Sequence, residues 1–243
     1  RSTLSSSSAA SDVYKRQCQY YLIITMLANY VDKYKDLKTR INDLETLYNR
    51  EIRLVVVSKT QNSEKIITLN NLGQTDFGEN YVDEAREKIN SIRNSNITWH
   101  FIGKIQSNKI KTICNLFDWV HTISSEKHVK KINEISKSIN KVMNVCIQIN
   151  IDNEQTKGGI TLEEYDKFSS SLYGLQNIKL RGLMTIPRSD IPSEESFARM
   201  YDLYKKNDYL DTLSMGMSSD FVTAIENGAN MLRIGQEIFG KRT

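Results

Sequence analysis

Eight short apolar runs recur along the chain, each followed by a polar or glycine-containing stretch and then by a segment of helical spacing. The runs cover 54–58, 75–77, 98–102, 119–122, 145–150, 180–185, 212–215 and 231–234. Val, Ile, Leu and aromatic residues fill them with little alternation, the pattern of parallel strands buried on both faces. Helical spacing is clearest over 82–93 and 126–139, where Val129, Ile132, Ile135 and Ile139 fall on one face. Residues 26–49 predict a further amphipathic helix ahead of the first strand. Eight strands alternating with helices predict a single (β/α)8 TIM barrel, near the small end of the usual ~200 to >400 residues. An open doubly wound sheet shares this periodicity. The absence of a G-x-G-x-x-G after the first run weakens the dinucleotide-binding version of it.

A barrel gathers its chemistry at the C-terminal ends of its strands. Those positions hold Lys59, the turn 78–81, Gly103, Thr122, Asn150, Met184, the loop 214–219 and Gly235. Barrels also tend to bind phosphate on the loops after strands 7 and 8, beside a helix N-terminus. Here Ser218 offers a hydroxyl, and the N–H groups of Gly235 and Gln236 can donate. A strand-end lysine with a strand-end phosphate cradle suits pyridoxal phosphate. It also suits a lysine-dependent aldolase acting on a phosphorylated sugar.

Composition narrows the class. The 243 residues can bury a full core, and 39% hydrophobic with 26% charged residues is ordinary for a globular protein. Cys18, Cys114 and Cys146 have no ligand-like spacing, and an odd, sparse set points to a reducing, cytoplasmic compartment. His100, His121 and His128 form no metal-ligand motif, so a protein-built metal site is not expected. His100 reads as a satisfied core histidine, His121 is ambiguous, and His128 lies on a charged helix. Trp99, Trp119 and Met184 read as packing rather than cofactor contacts.

Residues 1–25 stand apart. The serine-rich start reads as a translated cloning or adaptor sequence, with the native start at Met26. The apolar stretch 20–27 is shorter than the ~20 residues a bilayer span needs, and no A-x-A-like cleavage site follows it. No membrane association is expected. The segment carries three basic residues and one acidic, so the net charge of +4 falls to +2 without it. Lysines such as Lys130 and Lys131 then read as solvated helix faces, and no nucleic-acid partner is expected.

The chain resembles the pyridoxal phosphate homeostasis proteins, relatives of the alanine racemase N-terminal barrel. The matching stretches are VVVSKT (55–60), FGENYVDEAREK (77–88), WHFIGKIQSNK (99–109), IQINIDNEQTKGGI (147–160), RGLMTIP (181–187), LSMGMSSD (213–220) and RIGQEIFGKR (233–242). They span nearly everything after Ile52, in order. The resemblance implies a barrel of the alanine racemase N-terminal type over 26–243, with pyridoxal 5′-phosphate as a Schiff base on Lys59. It implies Asn80 on the cofactor side of the mouth, Ser218, Gly235 and the backbone of Gln236 on the phosphate, and Arg233 at the pyridine nitrogen. A small residue, often threonine, is usual where this chain has Gln236.

The resemblance further implies a protein that binds, buffers and supplies the cofactor to apo-enzymes, without established catalysis. Racemase relatives add a second domain and a partner subunit's tyrosine, for which residues up to Thr243 are expected to leave no room. A racemase-type enzyme is the alternative, and the barrel aldolase a third reading.

Overall fold

A computed structural model describes residues 29–92 and 96–240. The segment 1–25, with Cys18, lies outside the described residues.

The chain divides into two compact units, one formed by 1–43 with 236–243 and the other by 44–235. A helix, α1, covers described residues 29–48. Tyr30, Tyr34, Leu37 and Ile41 are all buried and recur at three- and four-residue steps, which makes one apolar face. In the smaller unit, Arg40 of α1 pairs with Glu237 at 2.7 Å, and the rings of Tyr30 and Phe239 lie 5.9 Å apart. Asn49 ends α1 with a φ of +46°, a left-handed conformation that asparagine tolerates.

The larger unit holds a closed barrel of eight parallel strands in sequential order. These are β1 (Arg53–Val57), β2 (Asp76–Glu79), β3 (Thr98–Phe101), β4 (Trp119–Ile123), β5 (Met143–Ile149), β6 (Ile178–Thr185), β7 (Thr212–Ser214) and β8 (Met231–Ile234). Between them run α2 (Ser63–Asn71), α3 (Val82–Ser91), α4 (Ile110–Leu116), α5 (Glu126–Ser138), α6 (Tyr165–Ser170), α7 (Glu194–Lys205) and α8 (Phe221–Glu226). A short α9 (Gln236–Phe239) follows β8. All eight predicted strands are present, with ends moved by at most two residues. Unbroken apolar runs fit because β4 and β8 are buried along their whole length, one face on the barrel interior and one under the helices.

Two details differ from the sequence pattern. Gly78 and Glu79, expected in a turn, belong to β2, which continues until its backbone has paired with β3 through Phe101. Ile139, expected on the buried face of α5, is 37% exposed because the helix stops at Ser138. Asn140, with a φ of +52°, then turns the chain away.

The interior is packed. Val55, Trp119, Cys146, Met184 and Met231 form one apolar cluster from β1, β4, β5, β6 and β8. Gly182 of β6 has no room for a side chain, since a Cβ there would sit 1.6 Å from the Thr212 carbonyl oxygen. The guanidinium of Arg181 lies 4.7 Å from the centre of the Trp119 ring, a cation–π contact near the strand starts. Trp119 packs the end of the barrel away from the site, and Trp99 packs on Phe77 at 6.0 Å.

Candidate cofactor site at the barrel mouth

The expected site residues sit at the C-terminal ends of four strands that are consecutive around the barrel: β7, β8, β1 and β2. Lys59 lies in the turn after β1, Asn80 directly after β2, and Ser218 in the loop between β7 and α8. Arg233 is the third residue of β8 and pairs in register with Val55 of β1. Gly235 follows β8, and Gln236 comes next in the chain as the first residue of α9.

Local packing accounts for several of these placements. Gly235 runs so close to β1 that a Cβ would lie 2.7 Å from the Val57 carbonyl oxygen. Asn80 is pinned by the segment that follows β3, because Gly103 runs so close to the Asn80 backbone that a Cβ there would meet the Asn80 carbonyl at 2.0 Å. The Ile102 N–H donates to the Glu79 carbonyl at 3.0 Å, which extends that alignment past the strand end. In the β7–α8 loop, the Met217 N–H donates to the Asp220 carboxylate at 2.6 Å, and Gly216 adopts a φ of +95°. Burial raises the Asp220 carboxyl, while the Met217 N–H and Arg233 oppose that rise.

Arg233 has the most distinctive environment. Its side chain is buried, its Nη1–H donates to Ser214 Oγ at 2.7 Å, and its Nη2–H donates to the Thr185 carbonyl at 2.8 Å. Both acceptors are neutral. Among the described residues, no carboxylate forms an ion pair with it. Burial pulls the guanidinium down to about 10, which still leaves it protonated near neutral pH. A buried charge without a countercharge is costly, so this pole favours an approaching anion or a strong acceptor.

Behind Arg233 runs a hydrogen-bonded chain across the interior. His121 Nδ1 lies 3.0 Å from Ser214 Oγ, His121 Nε2 lies 2.9 Å from His100 Nδ1, and His100 Nε2 lies 2.9 Å from Asp76 Oδ1. Proton positions follow from the donor rules. Each ring is neutral and carries one proton, and the Asp76 carboxylate can only accept, so His100 donates to it from Nε2. His100 Nδ1 then accepts from His121 Nε2–H, and His121 Nδ1 accepts the Ser214 O–H, whose oxygen in turn accepts from Arg233. Burial lowers both histidines, His121 well below its ordinary value, with His100 and Arg233 adding to the effect. Burial also pushes Asp76 up, but His100, Thr75 and Arg53 together bring it below the usual carboxylate range. The chain therefore has a cation at one end and a carboxylate at the other.

Sequence reading anticipated a satisfied His100 but not that His121, Ser214 and Asp76 would continue its bonds to Arg233. Parity on the strands was the available signal, since Asp76, His100, His121, Ser214 and Arg233 each occupy a strand and the barrel turns alternate residues inward.

At the mouth, Asn80 Oδ1 is buried without a hydrogen-bond partner among the described residues. Such orphans are rare in folded proteins, and a bound group with a donor there would satisfy it.

The alanine racemase N-terminal domain family matches residues 33–243. The pyridoxal phosphate homeostasis protein of Pasteurella multocida (strain Pm70) is 42% identical over 202 residues, covering 79% of this chain and 87% of the relative. The chain belongs to the pyridoxal phosphate homeostasis protein family. Its Escherichia coli (strain K12) member is 38% identical over 206 residues, covering 79% and 86% of the two chains. Among solved structures, PipY of Synechococcus elongatus PCC7942 with PLP bound is 27% identical, with a TM-score of 0.77 and coverage of 87% of this chain and all of that one. An alanine racemase of Clostridium difficile 630, 17% identical with a TM-score of 0.65, shares the fold and is covered over 57% of its length. The family membership accounts for the barrel and for the clustering of the matched stretches at its C-terminal mouth.

Proposed function

We propose that the chain binds pyridoxal 5′-phosphate at the mouth between β7 and β2 and serves inside the cell to hold, buffer and supply it. The observation that carries the reading is Arg233, a buried guanidinium at a strand end with only neutral hydrogen-bond acceptors. When bound, the cofactor supplies an aldehyde that an amine can take and a pyridine ring that withdraws electrons. The names of the curated relatives and the PLP-bound state of PipY support the same ligand.

Lys59 is the amine assigned to the aldehyde as a Schiff base, at the end of the strand that neighbours β8. Ser218, the Gly235 N–H and the Gln236 N–H that follows it in the chain are assigned to the phosphate. If only the Gln236 backbone is used, its departure from the family's small residue is harmless. Asn80 Oδ1 is the unspent acceptor on the cofactor side.

Arg233 also bears on the chemistry. A guanidinium donates and does not give up its proton at neutral pH, so a pyridine nitrogen facing it stays unprotonated and withdraws electrons weakly. The Ser214–His121–His100–Asp76 chain fixes the guanidinium in that role and offers no cationic donor in its place. Holding the cofactor suits this arrangement better than using it, and apo-enzymes that need the cofactor are the recipients in this reading.

Loading the protein with pyridoxal phosphate, reducing it with borohydride and mapping peptides by mass tests the assignment. The adduct is expected on Lys59, and Lys59→Ala should remove the imine absorbance while keeping residual non-covalent binding. Pyridoxal lacking the phosphate should bind at least about tenfold more weakly, since charge-assisted bonds to the phosphate are lost. A protein that takes up no cofactor, or is labelled mainly at Lys104, Lys109 or Lys157, would refute the reading.

A further inference from the structure

Outside the barrel wall, between β2 and α3, a buried ion cluster grips the turn that carries Lys59. Lys88 of α3 and Glu79 of β2 are 6% and 0% exposed, the former rare for a lysine. The three protons of the Lys88 ammonium have three acceptors: the Ser58 carbonyl at 2.7 Å, Glu79 Oε1 at 2.8 Å, and Glu84 Oε1. Ser58 Oγ donates to the same Glu79 oxygen at 2.7 Å, and the Thr60 N–H donates to Glu84 Oε1. The cluster thus takes hold of the residue before Lys59 and the residue after it.

The grip opposes a strained conformation. The Gln61 N–H donates to the Ser58 carbonyl at 3.0 Å, which closes a four-residue turn with Lys59 and Thr60 at its centre. Thr60 has a φ of +66° and Lys59 does not have a positive φ. That is the type II pattern, whose third position normally takes glycine or asparagine. A β-branched residue there is an outlier and persists only where its surroundings over-determine it. Glu84 on the Thr60 N–H and Lys88 on the Ser58 carbonyl are those surroundings.

We infer that Lys88, Glu79 and Glu84 are positioning residues that hold the Ser58–Gln61 turn in its strained form and thereby aim Lys59 at the cofactor. This rests on the assignment of Lys59 above. A cluster that only stabilised the fold would lower the melting temperature of its variants without singling out Lys59.

The variants are Lys88→Met and Glu84→Ala, each with and without Thr60→Gly. Lys88→Met may be replaced as the deciding variant by Glu84→Ala if it does not fold, because the Glu84 side chain is 27% exposed. In folded ligand-free protein, the rate and pH dependence of Lys59 acetylation, relative to the surface residue Lys130, should change. In loaded protein, the dissociation constant for pyridoxal phosphate should rise by about tenfold or more, the scale of one strained residue. The aldehyde-free analogue 4′-deoxypyridoxine phosphate reads the phosphate cradle alone, and its affinity should stay within about twofold of wild type. Thr60→Gly removes the strain and should recover a large part of the loss.

Unchanged Lys59 acetylation and unchanged pyridoxal phosphate affinity in the folded variants would overturn the inference. So would equal weakening of both ligands, or no recovery with Thr60→Gly. A wild-type protein that binds neither ligand would instead defeat the functional reading, and the ligand-free acetylation would still decide whether the cluster positions Lys59.

Discussion

Replacing His121 by glutamine removes a titrating group from the interior while keeping one donor and one acceptor. Its effect on stability should therefore depend on pH. An unfolded histidine titrates near ~6.5, whereas burial holds folded His121 well below that and lowers His100 as well. Between those values the unfolded chain binds more protons than the folded one. The contribution is fully present above pH ~6.5 and is lost as pH falls toward the folded values. Each such histidine gives a slope of up to about 1.4 kcal/mol per pH unit, so the pair gives at most about twice that. Asp76 does not enter this window, because its lowered carboxyl loses its contribution only below the unfolded value of ~3.9. Glu79 and Asp220, raised by burial, act with the opposite sign but are common to both proteins. Partly buried His128 is common to both as well. Urea unfolding of ligand-free wild type and His121→Gln at pH of about 7.5, 6.5 and 5.5 makes the comparison. Near pH 7.5 the two should lie within about 1 kcal/mol, since the amide can keep both bonds. Between pH of about 6.5 and 5.5 the variant should lose about 1 kcal/mol less than wild type, because an unfolded histidine is only half protonated at ~6.5. Equal pH slopes would refute the neutral-ring assignment.

Gly182→Ala should cost more than about 4 kcal/mol or prevent folding, since its Cβ would lie 1.6 Å from the Thr212 carbonyl oxygen and force β6 from β7; a melt within a few degrees of wild type would contradict that packing. Cys146, fully buried with its thiol pushed up to about 12, should resist an aromatic disulfide reagent at pH of about 8 until urea is added. Cys114, also buried and raised by burial, should behave alike, with both sites followed by peptide mass mapping.

The barrel was legible because its strands are largely buried on both faces and carry apolar runs that are unbroken, as at 54–57, or interrupted by a single polar residue, as by Arg233 in 231–234. The ends of strands were less so. Gly78 and Glu79 read as a turn from their composition, but pairing with His100 and Phe101 keeps them in β2. Lys59, Asn80, Ser218, Arg233 and Gly235 could be proposed from sequence because matched motifs and strand ends coincide. The groups that orient them were harder to read. A Glu84/Lys88 pair at a four-residue spacing usually marks a solvated helix face. Here α3 turns Lys88 onto the barrel wall, where Glu79 and the Ser58 carbonyl receive it. Likewise, His100 and His121 are 21 positions apart in sequence; pairing of β3 with β4 brings them to 2.9 Å, and the closed barrel places Ser214 of β7 beside them.

Two separate devices therefore prepare one mouth. Inside the barrel, successive hydrogen bonds run from Arg233 through Ser214, His121 and His100 to Asp76 and hold a buried, protonated guanidinium in place. Outside it, Lys88, Glu79 and Glu84 clamp the backbone on both sides of Lys59. They share no residue. Neither uses Asn80 Oδ1, which stays buried and unsatisfied at the strand end. Costs of ordering the guanidinium and the Lys59 turn are met during folding rather than on binding, which is how preorganised sites gain affinity. The same fixity disfavours chemistry that must change the protonation of the ring. In the proposed reading, an arginine locked by two neutral acceptors offers the pyridine nitrogen a hydrogen bond but no proton, and replacing it by an acid would leave Ser214 and Thr185 without their donor. On that reading, the mouth retains the cofactor at Arg233, and the turn that bears Lys59 governs its release.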